Sequence, residues 1–529
     1  MAGLYRGLSR LALNLCDGRF PDEFARFCRS EIMGTMVMKK TIRNGFVAAL
    51  ATGLALLAGP VAQAQSKDSL TIGVTLEPPH LDPTAGAAAA IDEIVYANVF
   101  EGLTRIDQNG AVRPQLAESW TISDAGLVYT FNLKKGVTFH DGTAFDADDV
   151  VFALDRARAE DSVNAQKSLF GAIDRVEAVD PGTVRITLSR PEGRLLFNLG
   201  RGDAVIVAPE SAANNKAAPI GTGPFKFDRW VRGSQVRLVA VDADRPIQKV
   251  TFRFVPDPTA QVAALRAGDI DAVANLQAPE AVIAFQDDPN FEVWIGSTEG
   301  ETIIAINNAR PPLNDVRVRR ALAHAIDRLT IIDGAMFGFG TPIGTHFAPH
   351  HPAYVDLRAG SAHDTVKARA LLAEAGQSDL KLTLKLPPPT YARRGGEIVA
   401  AQLEEAGIKV EIIPVEWAQW LEQGFRGKDY DLTIVSHTEP LDIGIYGREG
   451  YYFNYDSSAF RALMQRLNDT SNSAARKDIM GEAQRLIAAD AVNAYMFQLA
   501  KLGVWRKGLV GMWRNAPVQA NDVTGVRWE

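Results

Sequence analysis

Three histidines, His346, His350 and His351, crowd one short segment and have the residue type for metal ligation, since imidazole is a common zinc ligand. Pro349 and Pro352 interrupt any helix that would align them, so the segment is expected to be a solvated loop. His140-Asp141-Gly142 sets a base beside an acid. Asp and Gly are also the residues of tight turns, and a turn is the expectation. The other signatures of catalysis are missing: no G-x-S-x-G, H-E-x-x-H, C-x-x-C or G-x-x-x-x-G-K-[ST] occurs. Gly338-Phe-Gly340 has its next glycine at Gly344, one residue late for a dinucleotide fingerprint. Both cysteines, Cys16 and Cys28, lie near the start of the chain. These residues point to binding without a cofactor or a metal, and not to an enzyme.

The elements that would position a binding site are legible. Val128–Leu133 and Thr183–Leu188 alternate like half-buried strands. Asp146 caps a predicted helix reaching Arg158, and Gly268 closes another that starts at Thr259. Val250–Val255 is a further strand. Asp315 caps a helix with Val318, Leu322, Ala325 and Ile326 on one face. Thereafter helices ending at Gly376 and Gly407 alternate with strands Leu382–Leu386, Lys409–Ile413 and Asp431–Val435, with a helix at Trp417–Phe425. This rhythm means βαβ units and predicts an open parallel sheet. Such sheets bind ligands at the carboxyl ends of their strands. Three segments lie there: Pro387–Arg394, with Tyr391, Arg393 and Arg394; Glu416-Trp417; and Ser436–Asp442, with His437 and Glu439. They are expected to converge on one crevice, and the aromatic run Tyr451–Tyr455 either lines it or fills a core.

Composition agrees. The chain has 529 residues, 47% hydrophobic and 22% charged, with a formal charge of −7. That is a globular protein of two or three domains, with room for a cleft between them. Its acidic balance argues against a nucleic-acid partner. Met38-Lys39-Lys40 and Arg43, the apolar run Phe46–Ala58 and Ala62-Gln63-Ala64 follow the order of a secretory signal peptide cut after Ala64. The run falls short of the roughly 20 apolar residues a membrane span needs. Translation is expected to start at Met36 or Met38, which makes residues 1–35 an upstream extension and 36–64 the signal peptide. Pro60 stands where a lipoprotein would need cysteine, so the expected product is free in the periplasm.

Several segments, taken in order, resemble the peptide/nickel class of ABC-transporter solute-binding proteins, typified by dipeptide- and oligopeptide-binding proteins. They are Asn98–Leu103, Pro114–Trp120, Tyr129–Gly142 running into Asp148–Phe152, Gly221–Phe225, Pro312–Leu322 and Ala325–Arg328. The resemblance implies an α/β, two-lobed periplasmic-binding-protein fold (type II). Lobe I would take residues 65–301 and 498–529, with an extra subdomain near 96–205, and lobe II residues 302–497. It implies a monomer that captures a short peptide or other small solute and docks on the permease subunits. Glu439 matches the position of an acid that pairs with the ligand's ammonium, with Asp442 as substitute, and Trp417 matches a pocket aromatic. Ser436 replaces the family's Trp, and Pro389-Thr390-Tyr391 occupies the neighbourhood of the clamping Arg, which leaves Arg393 and Arg394 as shifted clamps. The same fold accommodates an oligosaccharide, an opine or a nickel complex; a secreted hydrolase is the weaker alternative. Gly221-Thr-Gly-Pro224 is expected to shape a turn, and Arg317, Arg319 and Arg328 to sit on a helix surface or in ion pairs.

Overall fold

The computed structural model describes residues 68–529 apart from residues 87, 124, 441 and 471. The expected upstream extension and signal peptide, residues 1–64, lie outside the described residues.

Alternation becomes strand where the sequence shows it. Val128–Leu133 and Thr183–Leu188 pair antiparallel in the middle of a four-stranded sheet flanked by Ala117–Ile122 and Ile173–Asp180. Tyr129, Phe131, Val184 and Ile186 face the core, while Asn132 and Arg185 face solvent. The helix Ala147–Arg158 packs beside it. Its start is fixed reciprocally, the Asp146 side chain accepting from Asp148 N–H and Asp149 from Asp146 N–H.

Eleven strands form the large sheet: β1 (Ser69–Val74), β2 (Phe225–Val231), β3 (Gln235–Ala240), β4 (Lys249–Phe254), β5 (Ala272–Val273), β6 (Phe291–Ile306), β7 (Gly340–Pro342), β8 (Leu380–Leu386), β9 (Ile408–Pro414), β10 (Leu432–His437) and β11 (Asn493–Arg506). Their spatial order is β9-β8-β10-β6-β11-β5-β1-β4-β3-β2, with β7 pairing on β11. β8 is parallel to β9 and β10, and β1 to β4 and β5. β6 and β11 run antiparallel to their neighbours, so the expected open parallel sheet is corrected to a mixed one. Neither long strand is joined to a sheet neighbour by a single crossover helix, and the constraint that makes βαβ strands parallel does not reach them.

β6 and β11 are also the longest strands, of 16 and 14 residues. Residues 291–297 of β6 pair with the carboxyl half of β11, residues 301–305 with its amino half, and the register slips between Ser297 and Glu301. The cores divide there. One apolar cluster draws on residues 70–274 and 505–526. Two others use only residues 303–497 and sit on opposite faces of β6, Ile304 and Ile306 on one and Ile303 and Ala305 on the other.

Helix caps follow the sequence. Asp315 caps Val316–Ala325, whose Val318 and Leu322 are fully buried. Gly268 ends Pro258–Ala267 at φ 83°, a left-handed turn glycine adopts without cost. Of the three arginines, Arg317 is exposed and paired with Asp315. Arg319 and Arg328 correct the surface expectation: both are buried and bind main-chain carbonyls, Arg319 those of Leu313, Asp490 and Ala491.

Gly221-Thr-Gly-Pro224 does form a turn, and the neighbours explain its glycines. Gly223 N–H donates to Val99 O, and a Cβ on Gly221 would collide with the same carbonyl. His140 braces this turn: its Nε2 lies 2.8 Å from Gly223 O and its Nδ1 accepts from Gly221 N–H. Burial lowers the His140 pKa, which suits a neutral ring that donates on one side and accepts on the other. Asp141 bonds Thr143 N–H in a local turn. The pair is structural.

Candidate functional site

The predicted helix after β9 begins α-helically at Trp417–Gln419 and continues as a π-helix over Trp420–Arg426, a form that often marks functional sites. Trp420 is buried and donates from Nε1 to Thr433 Oγ1 at 2.9 Å, and Trp417 meets it edge-on at 5.5 Å with 42% of its surface exposed. Trp417 thus stands as an aromatic wall on a fixed base.

That wall bounds a cavity of about 610 Å³. One side comes from residues 166–201, including Arg190, Glu192, Arg194 and Arg201; the other brings together Trp417, Ser436, His437, Glu439 and Asp442 with Arg448, Tyr451 and Tyr452. Two of the three predicted segments therefore converge. The third does not: Tyr391, Arg393 and Arg394 do not line the cavity. The helix Thr390–Glu405 begins inside that segment, so these side chains belong to its first turns. Arg393 donates to Pro387 O and Val415 O, fastening the ends of β8 and β9, and Arg394 covers the Phe337 ring at 5.3 Å. Tyr391 packs with the cluster beneath β8, and burial pushes its pKa up to about 12. Neither arginine is placed to clamp a ligand in this cleft.

The residues at the end of β10 differ in state. Glu439 is exposed, and its carboxylate accepts from the adjacent Thr438 N–H at 3.2 Å. Asp442 is enclosed. Its Oδ1 accepts from His346 Nε2 at 2.6 Å, and His437 Nδ1 lies 3.5 Å from Oδ2. Burial works against the Asp442 carboxylate, but His346 and then His437 outweigh it and hold the pKa well below the usual range. Tyr446 O–H reaches the other nitrogen of His346 at 3.1 Å, and His437 Nε2 meets Tyr452 O–H at 3.0 Å. Nearby, burial together with Asp442 and Glu299 pushes the Glu301 carboxyl well above its usual range.

The expected solvated loop for His346–His351 is corrected. The segment is not helical, as its prolines require, yet His346 is fully buried, His350 bridges Glu299 and Gln498, and His351 stacks on Phe347 at 4.3 Å. The aromatic run divides: Tyr451 and Tyr452 face the cavity, Phe453 is core, and Tyr455 bonds Asp490.

Sequence reading missed Arg448. Among the described residues it makes no ion pair; its guanidinium lies 5.7 Å over the Tyr451 ring and it is exposed to the cleft. No motif marks it, and only its charge six residues after Asp442 could have drawn notice. The opposing Arg190 and Arg194 lean on Glu192, and Arg201 on Asp203.

A two-part fold with a cleft of solute size, walled by aromatics and charged groups, defines a binding protein of the type II periplasmic class. The profile of the bacterial extracellular solute-binding proteins, family 5 Middle, matches residues 111–453, and the chain belongs to this family of ABC-importer binding proteins. It is similar to heme-binding protein A of Haemophilus influenzae, 30% identical over 375 residues, 64% of this chain and just under two thirds, 66%, of that protein. It is also similar to the glutathione-binding protein GsiB of Salmonella paratyphi A, 28% identical over 72% of this chain and 76% of that one. In structure it matches the ABC transporter-associated periplasmic binding protein DppA from Helicobacter pylori in complex with the peptide STSA, with a TM-score of 0.73 and 25% identity over 87% of this chain and 98% of the other. These relatives are binding proteins, not enzymes.

Proposed function

We propose that this protein captures a short peptide in the cleft and delivers it from the periplasm to the permease of an ABC importer. One observation carries the reading: the same cavity, lined also by Trp417 and Tyr451, offers a carboxylate and a guanidinium, Glu439 and Arg448, that form no ion pair among the described residues. A zwitterion needs both charges met once it leaves water. Glu439 takes the ammonium and Arg448 the carboxylate, in the role the sequence assigned to Arg393 or Arg394. The separate cores and the register slip at Ser297–Glu301 support lobe boundaries near 301/302 and 497/498, with closure about the two long strands. Among the described residues no helix is long and apolar enough to cross a membrane; on this proposal the mature protein is a monomer, freed by signal cleavage after Ala64.

Thermal shifts against di- to tetrapeptides, an oligosaccharide, an opine and nickel–histidine test the ligand class. Ligand at 100 times its Kd adds about 2.7 kcal/mol. Glu439→Gln is expected to weaken free-amine peptides at least about tenfold while leaving N-acetylated ones unchanged, and Arg448→Gln to discriminate free from amidated C termini in the same way. Stabilisation by a non-peptide solute alone would sink the peptide reading.

A further inference from the structure

Beside the cleft, Glu301, His346 and Asp442 hold ligand-type atoms within 4.8 Å of one another. Glu301 is 2% exposed and His346 fully buried, and Asp442 connects them to the cavity. The second observation concerns Glu301 alone: its Oε2 is buried and has no hydrogen-bond partner. A buried carboxylate oxygen without a partner is costly, and this one shares its space with a carboxylate and an imidazole.

We propose that Glu301, His346 and Asp442 form an intramolecular site for a divalent cation of the zinc class, separate from the peptide subsites. Two carboxylates and one neutral imidazole neutralise a 2+ ion, so the loaded site carries no net charge into the core. Nitrogen and oxygen donors from three side chains with one position left for water are a usual zinc arrangement. The ion displaces the hydrogen between His346 Nε2 and Asp442 Oδ1 and the proton of the Glu301 carboxyl; the neutral imidazole keeps one hydrogen, on Nδ1, and the displaced protons beyond that one leave to solvent. His346 then carries its hydrogen on Nδ1, facing the Tyr446 oxygen, which lies 3.1 Å away and is itself held by Asn493 Nδ2 and Tyr495 O–H at 3.2 Å. Such support of a ligating imidazole is what metal sites need. The three donors come from β6, from the loop after β7 and from the loop after β10. A bound ion would therefore pin the cleft floor to the long inner strand β6. His437, Glu439 and Asp442 make a rival trio on the cleft side, but Glu439 is exposed and His437 is already engaged by Tyr452.

The test uses the full chain, stripped with a chelator and titrated with zinc chloride against a chromophoric competitor, with bound metal counted by mass spectrometry. One zinc per chain is expected. The near-isosteric Glu301→Gln and His346→Gln each weaken it by at least about tenfold, a loss that even supporting residues of metal sites show, while His437→Gln leaves it within about threefold. Zinc-edge X-ray absorption of the unmodified protein guards against misfolded variants: a nitrogen and oxygen shell with a single imidazole supports the site. Two imidazoles in that shell, loss of zinc on His437→Gln with Glu301→Gln intact, or no zinc retained after dialysis each overturn it.

Discussion

His351 is held neutral by its surroundings. Its ring stacks on Phe347, and its Nδ1 accepts the Ala353 N–H at 3.0 Å, which a protonated ring cannot do. Burial, then the neighbouring His350, lower its pKa from 6.5 to about 4. A pKa depressed on folding contributes stability that is complete above 6.5 and is lost as pH falls toward 4. The contribution is at most about 3 kcal/mol, reduced by the solvent that reaches a partly exposed ring. His351→Asn keeps an acceptor near Nδ1 and cannot take up a proton. Melting temperatures measured from pH 7.5 to 4 are expected to fall less steeply for this variant, and parallel curves would refute the account. Sequence could not separate His351 from His346, because both lie in one proline-broken segment and only packing decides which is buried. That Glu439 and Trp417 line the cavity was legible because one lies just beyond a recognisable strand and the other begins a helix. Arg448 follows no periodic element, so nothing in the chain ties it to the cleft.

The same limit holds for elements. Helices Ala147–Arg158 and Val316–Ala325 were legible because an Asp cap and an apolar face act locally. The segment Pro387–Arg394 was misplaced because Pro389 starts the following helix and does not prolong the loop. Arg328 shows what tertiary contact adds. It begins the helix Arg328–Met336, and where the sequence suggested a helix surface or an ion pair its guanidinium donates to Ile343 O, Tyr495 O, Ser361 O and Ser361 Oγ at 2.7–2.9 Å. Burial lowers its pKa to about 10, which leaves it charged at neutral pH. One side chain thus joins β11, the strand after the helix and a loop near residue 361. Arg328→Met would strand these acceptors and is expected to cost about 3–5 kcal/mol. Arg328→Lys should recover only part of this, because a point charge cannot span the fork. Urea midpoints of the ligand-free protein decide it: a loss under about 1 kcal/mol for Arg328→Met would mean that the carbonyls find other donors.

The long strands β6 and β11 tie these parts into one molecule, and their direction was the part of the fold least legible in the sequence. Neither segment was predicted as a strand: the middle of β6 is polar, from Gly296 to Thr302, and nothing local tells a strand that serves two cores from one that serves a single core. Their register slip at Ser297–Glu301 breaks the ladder where the cores separate. Gly300 sits inside it: a Cβ there would lie 3.0 Å from Ser436 Oγ and from Thr298 Oγ1, and 3.1 Å from Leu499 Cβ. If ligand draws the two parts together, bending concentrates here, because an interrupted ladder has the fewest hydrogen bonds to distort. Saturating peptide is then expected to lower the radius of gyration in solution scattering. Gly300→Val fills the space the strands need to shift past one another, so it should shrink that change and weaken the peptide. The crowding at Gly300 acts in the ligand-free protein too, so its melting temperature is also expected to fall, and the scattering change on adding peptide is the measurement that decides. An unchanged scattering response and affinity in Gly300→Val would place the bend elsewhere.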